Sequence, residues 1–156
     1  MRPLHLLAAA VLAVLAPAAH AQDSPVLTTT VDDTVRSFTI EQLKQLPAQT
    51  ITTETIWTEG SQTFEGVPLA ALLDELGVES GVISAQAIND YAVDIPVDEI
   101  TPTAPIIAYH QNGAPMARRD KGPLWLVYPY DSSPEYQTEM IYSRSIWQMD
   151  RLNLRR

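Results

Sequence analysis

The chain has 156 residues, a formal net charge of −9 and no cysteine. The missing thiol excludes disulfides, thiolate metal sites, iron–sulfur clusters, cysteine nucleophiles and covalent haem attachment. The acidic balance excludes nucleic acid as a partner, because neutralising phosphates needs a broad basic face.

The first residues carry one cation, Arg2, an apolar run from Leu6 to Leu15, and Ala19-His20-Ala21, the small-x-small pattern of a signal-peptidase site. This pattern predicts a cleaved export signal over Met1–Ala21. The apolar run is too short to cross a bilayer and is followed by Pro17. The mature chain, Gln22–Arg156, is then expected to be a single periplasmic or secreted domain without a membrane span. His5 and His20 leave with the signal, so His110 is the only histidine left and multi-histidine metal sites are impossible. Charge is unevenly placed: Gln22–Ala117 holds 14 acidic and 2 basic side chains, and the remainder holds 5 and 7. That small basic zone suits one anion or an acidic neighbour.

Val26–Val31 has the β-branched content of a strand, Asp32-Asp33 forms a turn, and Arg36-Ser37-Phe38 resumes the strand. Thr39 and Gln42 fit a capping box before a short helix that buries Leu43 and Leu46 and ends ahead of Pro47. Gln49–Thr58 reads as a strand exposed on one face, with a turn at Glu59-Gly60-Ser61. Pro68 is suited to the first position of a helix carrying Leu69, Leu72, Leu73 and Leu76, and Gly77 can close that helix in the left-handed region.

Val82–Ile88 and Tyr91–Ile95 are strands around an Asn89-Asp90 turn, and Pro96–Ile100 is one helical turn. Ile106–Tyr109 leads into an Asn112-Gly113 hairpin turn. A basic loop with Arg118, Arg119 and Lys121 follows, then a buried strand over Leu124–Tyr128. Tyr130–Gln137 is a polar, Pro-interrupted surface loop. Ser143–Met149 and Leu152–Leu154 supply the closing strands. Strands joined by helices too short for regular crossovers predict a mixed, mainly β, α+β domain with short helices.

Five stretches resemble one family in its own order. They are Phe64–Leu73, Asn89-Asp90-Tyr91 with Ile95-Pro96, Ala108-Tyr109 through Asn112-Gly113 to Pro115, Gly122–Pro129, and Arg144–Met149. The chain resembles the oxidoreductase molybdopterin-binding domain, with the sulfite oxidase type of fold, from about Phe38 to Leu154. The resemblance implies a fold whose larger members bind a molybdenum–pterin cofactor and oxidise or reduce small oxo-substrates. It also implies a cysteine thiolate on the metal, a soft ligand that suits molybdenum. Just upstream of the Gly66-Val67-Pro68-Leu69 stretch, where that cysteine belongs, the chain reads Ile51-Thr52-Thr53-Glu54-Thr55. Trp125 stands where an arginine is common, and Trp147 follows Ser145-Ile146 where a lysine is common.

Four groups of residues are candidates for a site. Arg118, Arg119 and Lys121 could grip a phosphate or carboxylate, although the same composition suits a solvated loop. Tyr128, Tyr130, Tyr136 and Tyr142, with Trp125 and Trp147, make the last third aromatic and could line a pocket or present a binding face; of this region Tyr130, Tyr136 and Arg144, with Ser145, are the better candidates for a lined cleft, while Leu126 and Val127 belong to the core. Asn89-Asp90 could fix backbone amides beside an inward-pointing Tyr91; a plain turn beside a core tyrosine is the bland alternative. His110 lacks the Gly-x-Ser-x-Gly context of a hydrolase triad, and Asp74-Glu75 and Asp98-Glu99 are solvated helix residues. These readings assign no catalytic residue and no metal ligand. They predict an exported, non-catalytic protein that binds a small anion or docks on a protein partner, including one in the membrane, and that does without molybdopterin. The alternative is a molybdenum–pterin oxidoreductase using an oxygen ligand such as Thr53 or Glu54, or one supplied by a partner.

Overall fold

The computed structural model describes residues 24–156, so the export signal expected over Met1–Ala21 lies outside the described residues. Strands β1 (Leu27–Val31) and β2 (Thr34–Phe38) pair antiparallel across Asp32 and Asp33, whose φ angles are 46° and 65°. Helix α1 (Ile40–Leu43) starts with the expected capping box. The Thr39 hydroxyl accepts from the Gln42 amide at 3.1 Å, and the Gln42 side-chain carbonyl accepts from the Thr39 amide at 2.8 Å.

Strand β3 (Gln49–Glu54) ends earlier than sequence pattern alone suggests, because Thr55–Thr58 close on themselves. The Thr55 and Thr58 hydroxyls lie 2.7 Å apart, and the Trp57 amide donates to the Thr55 hydroxyl at 3.1 Å. Strand β4 (Ser61–Pro68) runs straight into helix α2 (Leu69–Glu75). Pro68 is therefore the last strand residue and the cap, at φ −52° and ψ 131°, and not the first helical residue. Its register opposite Ile106 holds it extended. Gly77 does close the helix, at φ 69°: its amide reaches the Asp74 carbonyl at 3.1 Å and the Val78 amide reaches Leu73 at 2.9 Å.

Strands β5 (Val82–Ala87), β6 (Ala92–Pro96), β7 (Ile106–Gln111), β8 (Ala114–Pro115) and β9 (Trp125–Val127) follow, with a 3-10 turn at Val97–Glu99. Asn112 and Gly113 make the hairpin turn at φ 51° and 79°. The last third departs most from expectation. Tyr130–Gln137 contains two 3-10 turns and buries Tyr130, and of the strand expected over Ser143–Met149 only an isolated bridge from Trp147 to Trp125 and the first residue of the next strand form. Helix α3 (Glu139–Arg144) occupies the start of that segment, because the Thr138 hydroxyl caps the Ile141 amide and Glu139 and Arg144 match the helix dipole at opposite ends. Strand β10 (Met149–Arg155) then closes the chain.

Two five-stranded sheets result, and with short helices between them they make a mixed, mainly β, α+β fold. One has the order β2-β1-β10-β5-β6, with only β1 and β10 parallel. The other has the order β3-β4-β7, with β8 and β9 pairing successive halves of β7. The larger apolar cluster joins Leu27, Leu69, Leu72, Ile83, Leu126 and Leu152; the smaller gathers around Trp125, Phe64, Ile106 and Val127. All three residues of β9 are buried, so its two faces serve both clusters.

Two local constraints fix the sheet that carries the smaller cluster. At the irregularity between Glu65 and Gly66, a Cβ on Gly66 would lie 2.1 Å from the Ile107 carbonyl oxygen. At the sheet edge, Thr53 donates its buried hydroxyl to one Asp131 oxygen at 2.7 Å, and the Glu54 amide donates to the other at 3.2 Å. These two donors hold the Asp131 carboxyl below the usual carboxylate range. Gly66→Ala should lower folding stability by about 1–3 kcal/mol or more in urea titration, because backbone has to yield to one methyl group. A depressed folded-state pKa stabilises the fold above the unfolded value of about 4, and the contribution is lost as pH falls through the folded value. Thermal midpoints measured across the acid range should therefore fall less steeply in Asp131→Asn than in the native chain, and the variant should be the less stable at neutral pH.

Candidate functional site

A cleft lies where three connections meet: the β3–β4 turn, the β5–β6 turn and the segment from α3 to β10. Its volume is about 400 Å³. The β3–β4 turn contributes Trp57, which the Thr55 hydroxyl holds by its backbone. The β5–β6 turn contributes Asn89 and Tyr91. Here Asp90 takes φ 66° and the Asn89 side-chain carbonyl accepts from the Tyr91 amide at 3.2 Å. Tyr91 does not point inward as a core residue; it is half exposed and donates its hydroxyl to the Ser143 carbonyl at 3.1 Å, bracing the two walls.

The third wall is Tyr142, Ser145, Trp147 and Gln148. Tyr130 donates to the Ser145 hydroxyl at 2.7 Å, which in turn donates to the Ile141 carbonyl at 2.8 Å. Trp125 donates its indole N–H to the Ser145 carbonyl at 3.2 Å. Every polar group of Ser145 is thereby engaged in building the wall. Gln148 sits at φ 50°, a conformation costly for a non-glycine residue, and three hydrogen bonds hold it there. Its amide reaches the Lys121 carbonyl at 3.0 Å, its carbonyl accepts from Ile88 at 3.0 Å, and its side-chain amide reaches the Arg118 carbonyl at 2.5 Å.

Around Trp57 the aromatic rings meet edge to face, whereas Tyr130 and Tyr142 are tilted at 41°. Trp57 lies 5.5 Å from Trp147, 5.7 Å from Tyr142 and 5.9 Å from both Trp125 and Tyr130, with interplanar angles from 65° to 85°. This is the arrangement that ring quadrupoles favour, at about 0.5–1.5 kcal/mol per pair beyond area burial. No charged side chain lines the cleft. Burial pushes the Tyr128 and Tyr130 hydroxyls well above their ordinary range, so both are neutral donors over all physiological pH.

The sequence-derived candidates divide accordingly. Asn89, Tyr91 and Ser145 line the cleft. Asp90 instead pairs with Arg151 at 2.8 Å, and Tyr130 is buried behind the wall. Tyr136 stacks at 6.0 Å on Tyr128, away from the lining. Arg144 is buried: its guanidinium meets Glu99 at 2.5 Å and the Asp94 carbonyl at 3.2 Å, so it pins α3 to β6. Lys121 borders an adjoining hollow of about 330 Å³, and its ammonium lies 5.5 Å from the ring centres of both Trp125 and Trp147. Arg118 and Arg119 are exposed on the same loop and line neither hollow. Tyr142 and Trp147, members of the aromatic C-terminal cluster, also line the cleft, whereas Trp57 and Gln148 went unnoticed as site residues in the sequence. The Thr55-x-Trp57-Thr58 spacing, which suits a hydroxyl-capped turn, is a signal that could have found Trp57.

The comparisons with known proteins agree with this architecture. No curated protein matches the chain. Among solved structures, the sulfane dehydrogenase SoxCD from Paracoccus pantotrophus superposes with a TM-score of 0.60 at 21% identity, over 82% of this chain. The chain corresponds to 37% of the SoxCD chain, so the likeness concerns the fold. The family model for the oxidoreductase molybdopterin binding domain matches residues 26–132, from β1 through the buried strand to the first turn behind the cleft. The chain belongs to the oxidoreductase molybdopterin binding domain family.

Proposed function

We propose that this chain is an exported binding module that has kept the fold of its family and given up redox chemistry. The observation that carries the reading is the lining of the cleft: aromatic rings and neutral amides and hydroxyls, with no acid, base, thiol or cation. Such a wall sequesters and orients a ligand, but it supplies neither a proton-transfer group poised near neutrality nor a metal ligand.

The residues present do not fit a molybdenum–pterin group. Molybdenum favours sulfur donors, and the sequence contains no cysteine. The two oxygen donors considered in its place lie elsewhere: the Thr53 hydroxyl is buried and committed to Asp131, Glu54 is exposed at the sheet edge, and neither lines the cleft. Among the described residues no three His, Asp or Glu side chains converge on one point. A phosphate on such a group would also need a cation, and Trp125 and Trp147 fill the two family positions where basic residues are common. Charge is available only outside the cleft, on the Arg118–Lys121 loop, which supports recognition of an anionic group at its rim.

The chain purified from the periplasm of cells competent for molybdenum cofactor synthesis should contain far less than one molybdenum per chain by elemental analysis. It should also release no fluorescent pterin on oxidation. Stoichiometric molybdenum with a releasable pterin would overturn the reading and establish the oxidoreductase.

A further inference from the structure

We infer that the cleft and the basic loop together form one docking surface for an extended, acidic protein segment carrying an aromatic or large apolar anchor residue. This rests on the binding-module reading and names its ligand.

The first observation concerns charge. Among the described residues Arg36, Lys44, Arg144, Arg151, Arg155 and Arg156 each form an ion pair with a carboxylate. Arg118, Arg119 and Lys121 form none, although the sequence holds 19 acidic residues against 10 basic ones. Where carboxylates are in such excess, three cations without an ion pair within four positions, interrupted only by Asp120, still make a local field of the opposite sign to the rest of the molecule. That field attracts acidic chains and repels basic ones.

The second observation concerns apolar exposure. Ile56, next to Trp57 in the β3–β4 turn, is 63% exposed, and Tyr91 and Trp147 stand at 48% and 37% on the walls of the cleft. Exposed large apolar side chains grouped around a hollow mark a recognition surface. Trp147 links the two features, because Lys121 lies over its ring and Gln148 ties its neighbouring backbone to the Arg118 carbonyl.

The third observation decides the size of the occupant. Ile56, Arg118 and Arg119 line neither hollow, so a small molecule seated in the cleft leaves all three bare. A polypeptide segment reaches them. Its aromatic anchor enters the cleft of about 400 Å³ against Trp57 and Trp147, and its flanking carboxylates meet the two guanidiniums.

The test uses the full mature chain and three fluorescein-labelled peptides: acetyl-Asp-Glu-Trp-Glu-Asp-amide, the same peptide with Ala for Trp, and the same peptide with Lys for each acid. Fluorescence anisotropy should show binding of the first, weakening about tenfold or more with either change and with the charge-reversal variant Arg118→Glu/Arg119→Glu. Both arginines are exposed, so the thermal midpoint of that variant should stay unchanged. Trp147→Ala, at the exposed rim, should weaken the first peptide and leave its salt dependence in place. Equal binding of acidic and basic peptides, or an undiminished affinity in the double variant, would overturn the docking surface. So would competition by inorganic phosphate or benzoate as effective as the unlabelled peptide, which would make the site one for small anions. These results leave the binding-module reading standing, since that reading falls only to stoichiometric molybdenum and pterin.

Discussion

Burial of Trp125 is the constraint on which the rest of the site depends. It sits in the short strand β9, fully enclosed, with Phe64 at 5.1 Å below and Trp57 and Trp147 at 5.9 and 6.4 Å around it. Its one polar atom is satisfied by the Ser145 carbonyl, so the ring enters the core without leaving a donor unpaired. Filling this place with an indole has consequences for every neighbour. Trp57 can only lie edge-on, Ser145 is fixed by both hydroxyl and carbonyl, and the segment from Tyr142 to Gln148 is drawn over the ring as a wall. A cationic side chain at the same position would require a counter-charge inside the smaller apolar cluster. The neutrality of the cleft is thus a property of the core beneath it.

Much of the fold was legible because local chemistry and tertiary structure agree over most of its length. The Thr39–Gln42 box, the Asn112-Gly113 turn and the Gly77 helix end are each forced by a few atoms of neighbouring backbone. Disagreement concentrates after Pro129, where aromatic and β-branched residues at positions 141–147 suggest a strand. Thr138 and Glu139 nevertheless start a helix, and only Trp147 keeps a single bridge to a strand residue, Trp125. Pro68 was misplaced by one residue for a related reason: a partner strand 38 positions away, unknown to any local pattern, holds it extended.

The site was partly legible. Asn89, Tyr91 and Ser145 were found from their surroundings in the family pattern, and the basic loop from composition. Arg144 looked like an anion-binding residue because nothing in the sequence reveals that Glu99 folds against it. Trp57 and Gln148 were missed because their roles arise from turns that bring distant connections together. Charge tells a similar story: the sequence shows a basic patch, but only the three-dimensional pairing shows which cations remain free.

The chain contains three tryptophans, Trp57, Trp125 and Trp147, and all of them belong to this one cluster. At such separations their excited states couple, so the near-ultraviolet optical activity and the intrinsic emission of the molecule originate almost wholly at the cleft. The two sheets that make up most of the mass contribute little to either signal. Light absorbed at the red edge of the protein band therefore interrogates the cleft and the core directly beneath it.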